Sequence, residues 1–160
     1  MSKLKIYKTP SESEIIKTEV VCPNDTNPMG ILQGGRLVEW MDIAAAICAQ
    51  THTEKICVTA SIMNVNFKLA AKIGDIVTVK AKMTRSFQTS MEIVVQSFAR
   101  NVHETKNKLI SEAYFTFVAL SENEKISSDL TPIKPTTILE KQLFRSALKR
   151  KHSRMKTMES

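Results

Sequence analysis

The stretch Asn24-Asp25-Thr26-Asn27-Pro28-Met29-Gly30-Ile31-Leu32-Gln33-Gly34-Gly35-Arg36-Leu37-Val38-Glu39-Trp40-Met41-Asp42 decides how the rest of the chain reads. It is a polar loop, then a glycine pair, then a helix carrying a carboxylate two turns in. Two of the four glycines meet where the loop becomes the helix. Without a Cβ, that backbone admits a close ligand. First-turn N–H groups lack internal partners and carry partial positive charge, which suits an oxyanion or a polarised carbonyl. At 100° per residue, Leu37, Met41, Ala44 and Cys48 fall on one line with Trp40 and Ile47 beside them, which predicts the buried stripe. Asp42 lies off that line, on the face of Gly35 with Val38, Ala45, Ala46 and Ala49. It is either a solvated helix residue or an acid with room beside it for a ligand.

At 160 residues, 42% hydrophobic and 24% charged, the chain reads as one soluble domain with a real core. No apolar run approaches the ~18 residues that would span a membrane, and none follows the N-terminal Met1-Ser2-Lys3-Leu4-Lys5 as a signal peptide would. Cys22, Cys48 and Cys57 form no CxxC pair, which suggests reduced thiols and a cytoplasmic location. The spacing of His52, His103 and His152 suits no metal, so no metal site is expected. The net charge of +7 is concentrated near the end, at Lys149, Arg150, Lys151, Arg154 and Lys156. That tail is either a solvated basic segment or an attractant for an anionic ligand. No aromatic interleaving supports nucleic acid.

Residues 1–11 form an expected flexible leader. Strand patterns cover Ile15–Val21, Ile56–Phe67, Asp75–Ser86, Ser90–Asn101 and Leu109–Leu120, with short connections that favour antiparallel pairing. Val77, Val79, Ala81 and Met83 alternate with polar residues. Ala113, Phe115, Phe117 and Ala119 share one face. The first helix is expected from Gly34 to Thr51. After a polar link, Thr137 and Glu140 have capping-box spacing and Leu139, Leu143, Phe144 and Ala147 give an amphipathic second helix. The class is α+β, with the apolar helix on one face of an antiparallel sheet. A domain over 12–125 and a segment over 126–160 (linker, helix, basic tail) are expected.

Asp25-Thr26-Asn27, Gly30, Gly34-Gly35 and Met41-Asp42 resemble the hotdog-fold acyl-CoA thioesterases, within them most closely the cytosolic acyl-CoA hydrolase family. Cys57-Val58-Thr59-Ala60-Ser61-Ile62, Gly74-Asp75, Thr89-Ser90-Met91-Glu92-Ile93 and Phe115-Thr116-Phe117-Val118 fall at that family's positions. The likeness covers roughly residues 12–150. It implies a hotdog fold, with an antiparallel sheet wrapped around one long central helix. It also implies hydrolysis of fatty acyl-CoA to free acid and coenzyme A without a cofactor, and a homo-oligomer that is a dimer at least and a trimer of dimers in full.

The resemblance puts the family's carboxylate on Asp42 and its loop asparagine on Asn27, the two meeting across a dimer interface. Gly34 and Gly35 supply the oxyanion amides. Asp42 acts as general base or as nucleophile. Coenzyme A contacts fall on Ala60, Ser61, Ile62, Thr89, Ser90 and Met91, with Arg150 and Lys151 toward the nucleotide. Departures are Gln33, Met63 and the segment Phe67-Lys68-Leu69-Ala70, where relatives carry His, an acid and Phe-x-x-Pro. A non-catalytic acyl-CoA sensor on the same fold is the alternative. A hotdog hydratase is disfavoured because no His stands near the glycine pair.

Overall fold

The structure is a computed structural model and describes residues 6–160. In chain order it contains β1 (Ile15–Val20), α1 (Gly34–Thr53), β2 (Cys57–Phe67), β3 (Ile76–Ser86), β4 (Met91–Arg100), β5 (Lys108–Ala119) and α2 (Ile138–Glu159). The five strands form one antiparallel sheet in the order β1-β3-β4-β5-β2. β1 pairs only with β3 and β2 only with β5, so both are edge strands.

Alternation fixes which face of the sheet meets α1. Val77, Val79, Ala81 and Met83 on β3, Met91, Ile93 and Val95 on β4, and Ala113, Phe115, Phe117 and Ala119 on β5 are all buried. They pack on Leu37, Trp40, Met41, Ala44, Ala45, Cys48 and Ala49 of α1. The sheet wraps α1 because small residues let the helix sit close and large ones fill the space between. The buried arc of α1 differs from expectation on one flank. Ala45 and Ala49 are buried, whereas Ile47 is 42% exposed and Ile43 lies beside it in the open. The sheet centres on Met41 and so covers the alanine side, leaving Ile47 outside. Deep burial pushes the Cys48 thiol up to about 12, so it remains an inert core group. α1 ends at Glu54, which adopts φ 56 and donates its N–H to Gln50 O at 2.8 Å.

The opposite sheet face is covered in part by α2. Thr137 Oγ1 accepts from Glu140 N, and Glu140 Oε2 accepts from the backbone N–H of Thr136 and Thr137, so the expected capping box is present. Glu140 is 5% exposed and also pairs with Lys82 at 2.9 Å. Further along, Arg150 grips Glu92 through Nε and a terminal nitrogen, at 2.7 to 3.1 Å. Thr84 donates to the same carboxylate, and the guanidinium lies over Tyr114. The basic segment expected as a tail is therefore helical, with Arg150 docked on the sheet and Lys149 and Lys156 exposed.

Of the leader over 1–11, residues 1–5 lie outside the described residues. Lys8 bridges to Ile133, and its ammonium donates to Thr51 O and His52 O at the end of α1.

Candidate active site

The loop before α1 is held by its own polar side chains. Asp25 Oδ2 accepts from Cys22 N, its backbone O from Gln33 N, and Oδ1 pairs with Arg36 Nε at 3.2 Å. One acid thus ties the loop to the first turn of the helix. Asn27 closes a tighter turn. Its Oδ1 accepts from Met29 N at 2.9 Å and Ile31 N at 3.2 Å. Only the carbonyl oxygen can take two backbone donors, so the amide orientation is fixed. The Nδ2 amine faces away and has no partner among the described residues. Gly30 follows at φ +73, which the turn requires.

At the head of α1, Leu37 N–H is the first to find an acceptor on the loop side, at Gln33 O. The N–H groups of Gly34, Gly35 and Arg36 have none among the described residues. A Cβ on Gly35 would meet nothing within 4 Å, so space stands open beside it. A Cβ on Gly34 would meet the Phe67 ring at 3.2 Å.

Asp42 is half-buried, and Thr59 Oγ1 donates to its Oδ1 at 2.6 Å. Its Oδ2 has no partner among the described residues. The local shape of β2 explains the contact. The register with β5 slips between Thr59 and Ser61, so Ala60 is a bulge and Thr59 is aimed at the helix. Gly34 and Asp42 lie eight residues apart on one helix, which is ~12 Å of rise.

Ala60, Ser61, Thr89 and Ser90 come together in a groove of about 340 Å³. Val118, Thr116 and the α2 residues Lys151, Arg154, Met155 and Met158 complete it. Ser61 Oγ is buried there with no partner among the described residues. Arg154 donates to Thr116 Oγ1. Burial lowers the Arg154 pKa, and Glu92 opposes that shift.

Three of the expected contacts do not line this groove. Met91 is fully buried in the core. Arg150 is consumed by Glu92. Ile62 lies on β2 opposite Phe115, outside the groove lining. The structure also brings Thr59 and Arg154 to these positions; neither was singled out as a contact from the sequence, although Arg154 was read as part of the basic tail. Thr59 stands inside a motif already singled out, and Arg154 is one helical turn beyond Arg150.

An antiparallel sheet wrapped on one buried helix, with free amides at the helix head and an acid two turns down, defines a hotdog-fold protein. The chain belongs to the acyl-CoA thioesterase family of that fold. Residues 29–105 match the thioesterase superfamily. The uncharacterized acyl-CoA thioester hydrolase YkhA of Bacillus subtilis is 32% identical over 143 residues, covering 89% of this chain and 83% of that one. An apo-hexameric acyl-CoA thioesterase superposes with a TM-score of 0.91 at 34% identity, covering 95% of this chain and 97% of that one.

The acyl-CoA hydrolase of Staphylococcus aureus, solved with butyryl coenzyme A, coenzyme A and coenzyme A disulfide, superposes with a TM-score of 0.87. It is 34% identical and covers 96% of this chain and 95% of that one. Variants of that hydrolase with an aspartate, an asparagine or a threonine replaced by alanine have the same architecture. The chain spans 20% to 24% of the length of the mammalian acetyl- and acyl-coenzyme A thioesterases it matches.

Proposed function

We propose that the protein hydrolyses fatty acyl-CoA thioesters to the free acid and coenzyme A, with Asp42 as general base. The observation that carries this is the Asp42 carboxylate, with one oxygen fixed by Thr59 and the other free. The free oxygen can take a proton from water as that water attacks the thioester carbonyl carbon. The electron pair of the carbonyl moves onto its oxygen. The resulting oxyanion is held by the N–H groups of Gly34 and Gly35 and by Asn27 Nδ2. Collapse expels the coenzyme A thiolate. A thiolate is a good leaving group because its conjugate acid has a pKa of about 8.5. Water is the only co-reactant, and no cofactor is required.

As the resemblance implies, the oxyanion amides and Asp42 are taken to come from different subunits. Attacking water and carbonyl carbon are separated by roughly 3 Å in a reacting complex. Gly34 and Asp42 of one helix are ~12 Å apart. In this reading a second copy supplies Asn27 and the helix head to the first copy's Asp42. Exposed Ile43 and Ile47 on α1 and the open edge of β2 are suited to such a contact. The hexameric relatives support a trimer of dimers.

The groove under α2 receives the coenzyme, with Ser61, Thr89 and Ser90 on its pantetheine and phosphates and Lys151 and Arg154 on its charge. Three unpaired thiols suit a reducing cytoplasm. Among the described residues no helix is long and apolar enough to cross a membrane.

A free-thiol release assay on butyryl-CoA and dodecanoyl-CoA tests the function. The parent turns over at least one of them, and Asp42→Ala loses about 10²–10⁴ in kcat. Full activity in that variant overturns the role of Asp42.

A further inference from the structure

A second cavity, distinct from the groove under α2, lies at the head of α1. It encloses about 400 Å³ beside Gly34. Its floor is core: Leu32, Leu37 and Ile110 are 8%, 4% and 2% exposed. Its mouth is made by the end of β2 and the residues after it, Phe67, Leu69 and Ala70. Phe67 is 57% exposed and Leu69 55%. The ring of Phe67 rests on Gly34, where a Cβ would come within 3.2 Å of it. Glycine at 34 is what lets the ring lie across the helix head. This is also the segment where the chain has Phe67-Lys68-Leu69-Ala70 in place of a proline-ended turn.

We propose that this cavity receives the acyl chain of the substrate, and that Phe67, lying on Gly34, sets the chain length it accepts. The proposal rests on the thioester-hydrolase reading. With the carbonyl oxygen on the amides of Gly34 and Gly35, the coenzyme and the acyl chain must leave the carbonyl carbon in different directions. The groove brings the hydroxyls of Ser61 and Ser90 and the cations of Lys151 and Arg154 beside Met155, Met158 and Val118, which suits the phosphates and pantetheine of the coenzyme. The cavity behind Phe67 has an apolar floor, with Lys68 the one charged side chain in its lining, and starts at the same helix turn. A chain that ends before Phe67 leaves the ring in place. A longer one displaces it and reaches Leu37 and Ile110. Each further methylene taken from water into this space is worth about fourfold in affinity.

The test compares kcat/KM for dodecanoyl-CoA and butyryl-CoA in the parent, Phe67→Ala and Ala70→Trp. Both side chains are exposed in the single chain, so neither substitution threatens its core, and light scattering checks that each variant keeps the oligomeric state of the parent. Opening the mouth in Phe67→Ala raises the dodecanoyl-to-butyryl ratio by at least about tenfold, and filling it in Ala70→Trp lowers that ratio by a similar factor. Ratios within about twofold of the parent in both variants overturn the proposal, while parental turnover still upholds the hydrolase reading. If the parent hydrolyses neither substrate, the hydrolase reading falls and binding decides the cavity. Coenzyme A thioethers bearing butyl and dodecyl chains are then titrated by calorimetry. A dodecyl preference that Ala70→Trp removes upholds the cavity, and affinity independent of chain length overturns it.

Discussion

Thr59 Oγ1 sits 2.6 Å from Asp42 Oδ1, joining the edge strand β2 to the central helix α1 at the proposed base. The contact leaves the other carboxylate oxygen free and fixes its direction. Thr59→Val removes the donor while keeping the shape. It is expected to lower kcat by about tenfold to a hundredfold with little change in KM, because a misplaced base costs rate more than binding. Thr59→Ser retains the hydroxyl and restores most of the rate. Steady-state kinetics on one acyl-CoA separate the two variants. Equal loss in both would mean that the methyl group, and not the hydrogen bond, matters.

Asn27 offers only its amine to a ligand, since its carbonyl oxygen is held by Met29 and Ile31. Asn27→Asp keeps the turn and deletes the donor. The variant is expected to melt within a few degrees of the parent while kcat falls by about 10²–10³. Thermal melting and thiol release read the two properties separately. Retained activity would remove Asn27 from the oxyanion site.

Gly35 faces open space on a helix, so an added methyl meets no atom of its own chain. Alanine there is expected to raise stability by about 0.5–1 kcal/mol. The same methyl stands where the carbonyl must approach, so kcat/KM falls at least tenfold. Urea denaturation alongside kinetics tests the trade. A more stable and fully active Gly35→Ala would place the oxyanion elsewhere.

Glu140 carries a pH dependence. Burial on its own pushes the carboxyl up. Lys82 and the amides of Thr136 and Thr137 outweigh that effect and hold the pKa down at about 2, against an ordinary value near 4.5. A depressed folded-state pKa contributes stability that is complete above pH ~4.5 and is lost as the pH falls toward ~2. Glu140→Gln is therefore expected to be about 1–3 kcal/mol less stable at pH 7, the gap closing across that acid window. Urea titrations at several pH values read it. A gap that does not change with pH would assign the effect to packing.

Strands and helix ends were legible because they depend on local signals. Period-2 alternation marked Val77 to Met83 and Ala113 to Ala119, and the Thr137–Glu140 spacing marked the start of α2. What was not legible depends on contacts far apart in the chain. Thr59 reaches Asp42 only because the bulge at Ala60 turns it. Arg150 looked free for phosphate because nothing local says that Glu92, on the outward face of β4, lies under α2. Ile47 looked buried because its helix angle does not reveal which flank of α1 the sheet covers. Asp42, Asn27, Gly34 and Gly35 were assigned together by the resemblance, which also sets them on two copies. The ~12 Å of rise between Gly34 and Asp42 along one helix is in keeping with that assignment.

Mixing inactive subunits tests that assignment most directly. Asp42→Ala and Asn27→Ala are each purified, combined, dissociated with denaturant and refolded together. A site shared between copies restores one intact site in every mixed dimer, so thiol release returns to about a quarter of the parental rate with random pairing. No recovery in oligomers shown by mass spectrometry to be mixed would contradict the shared site.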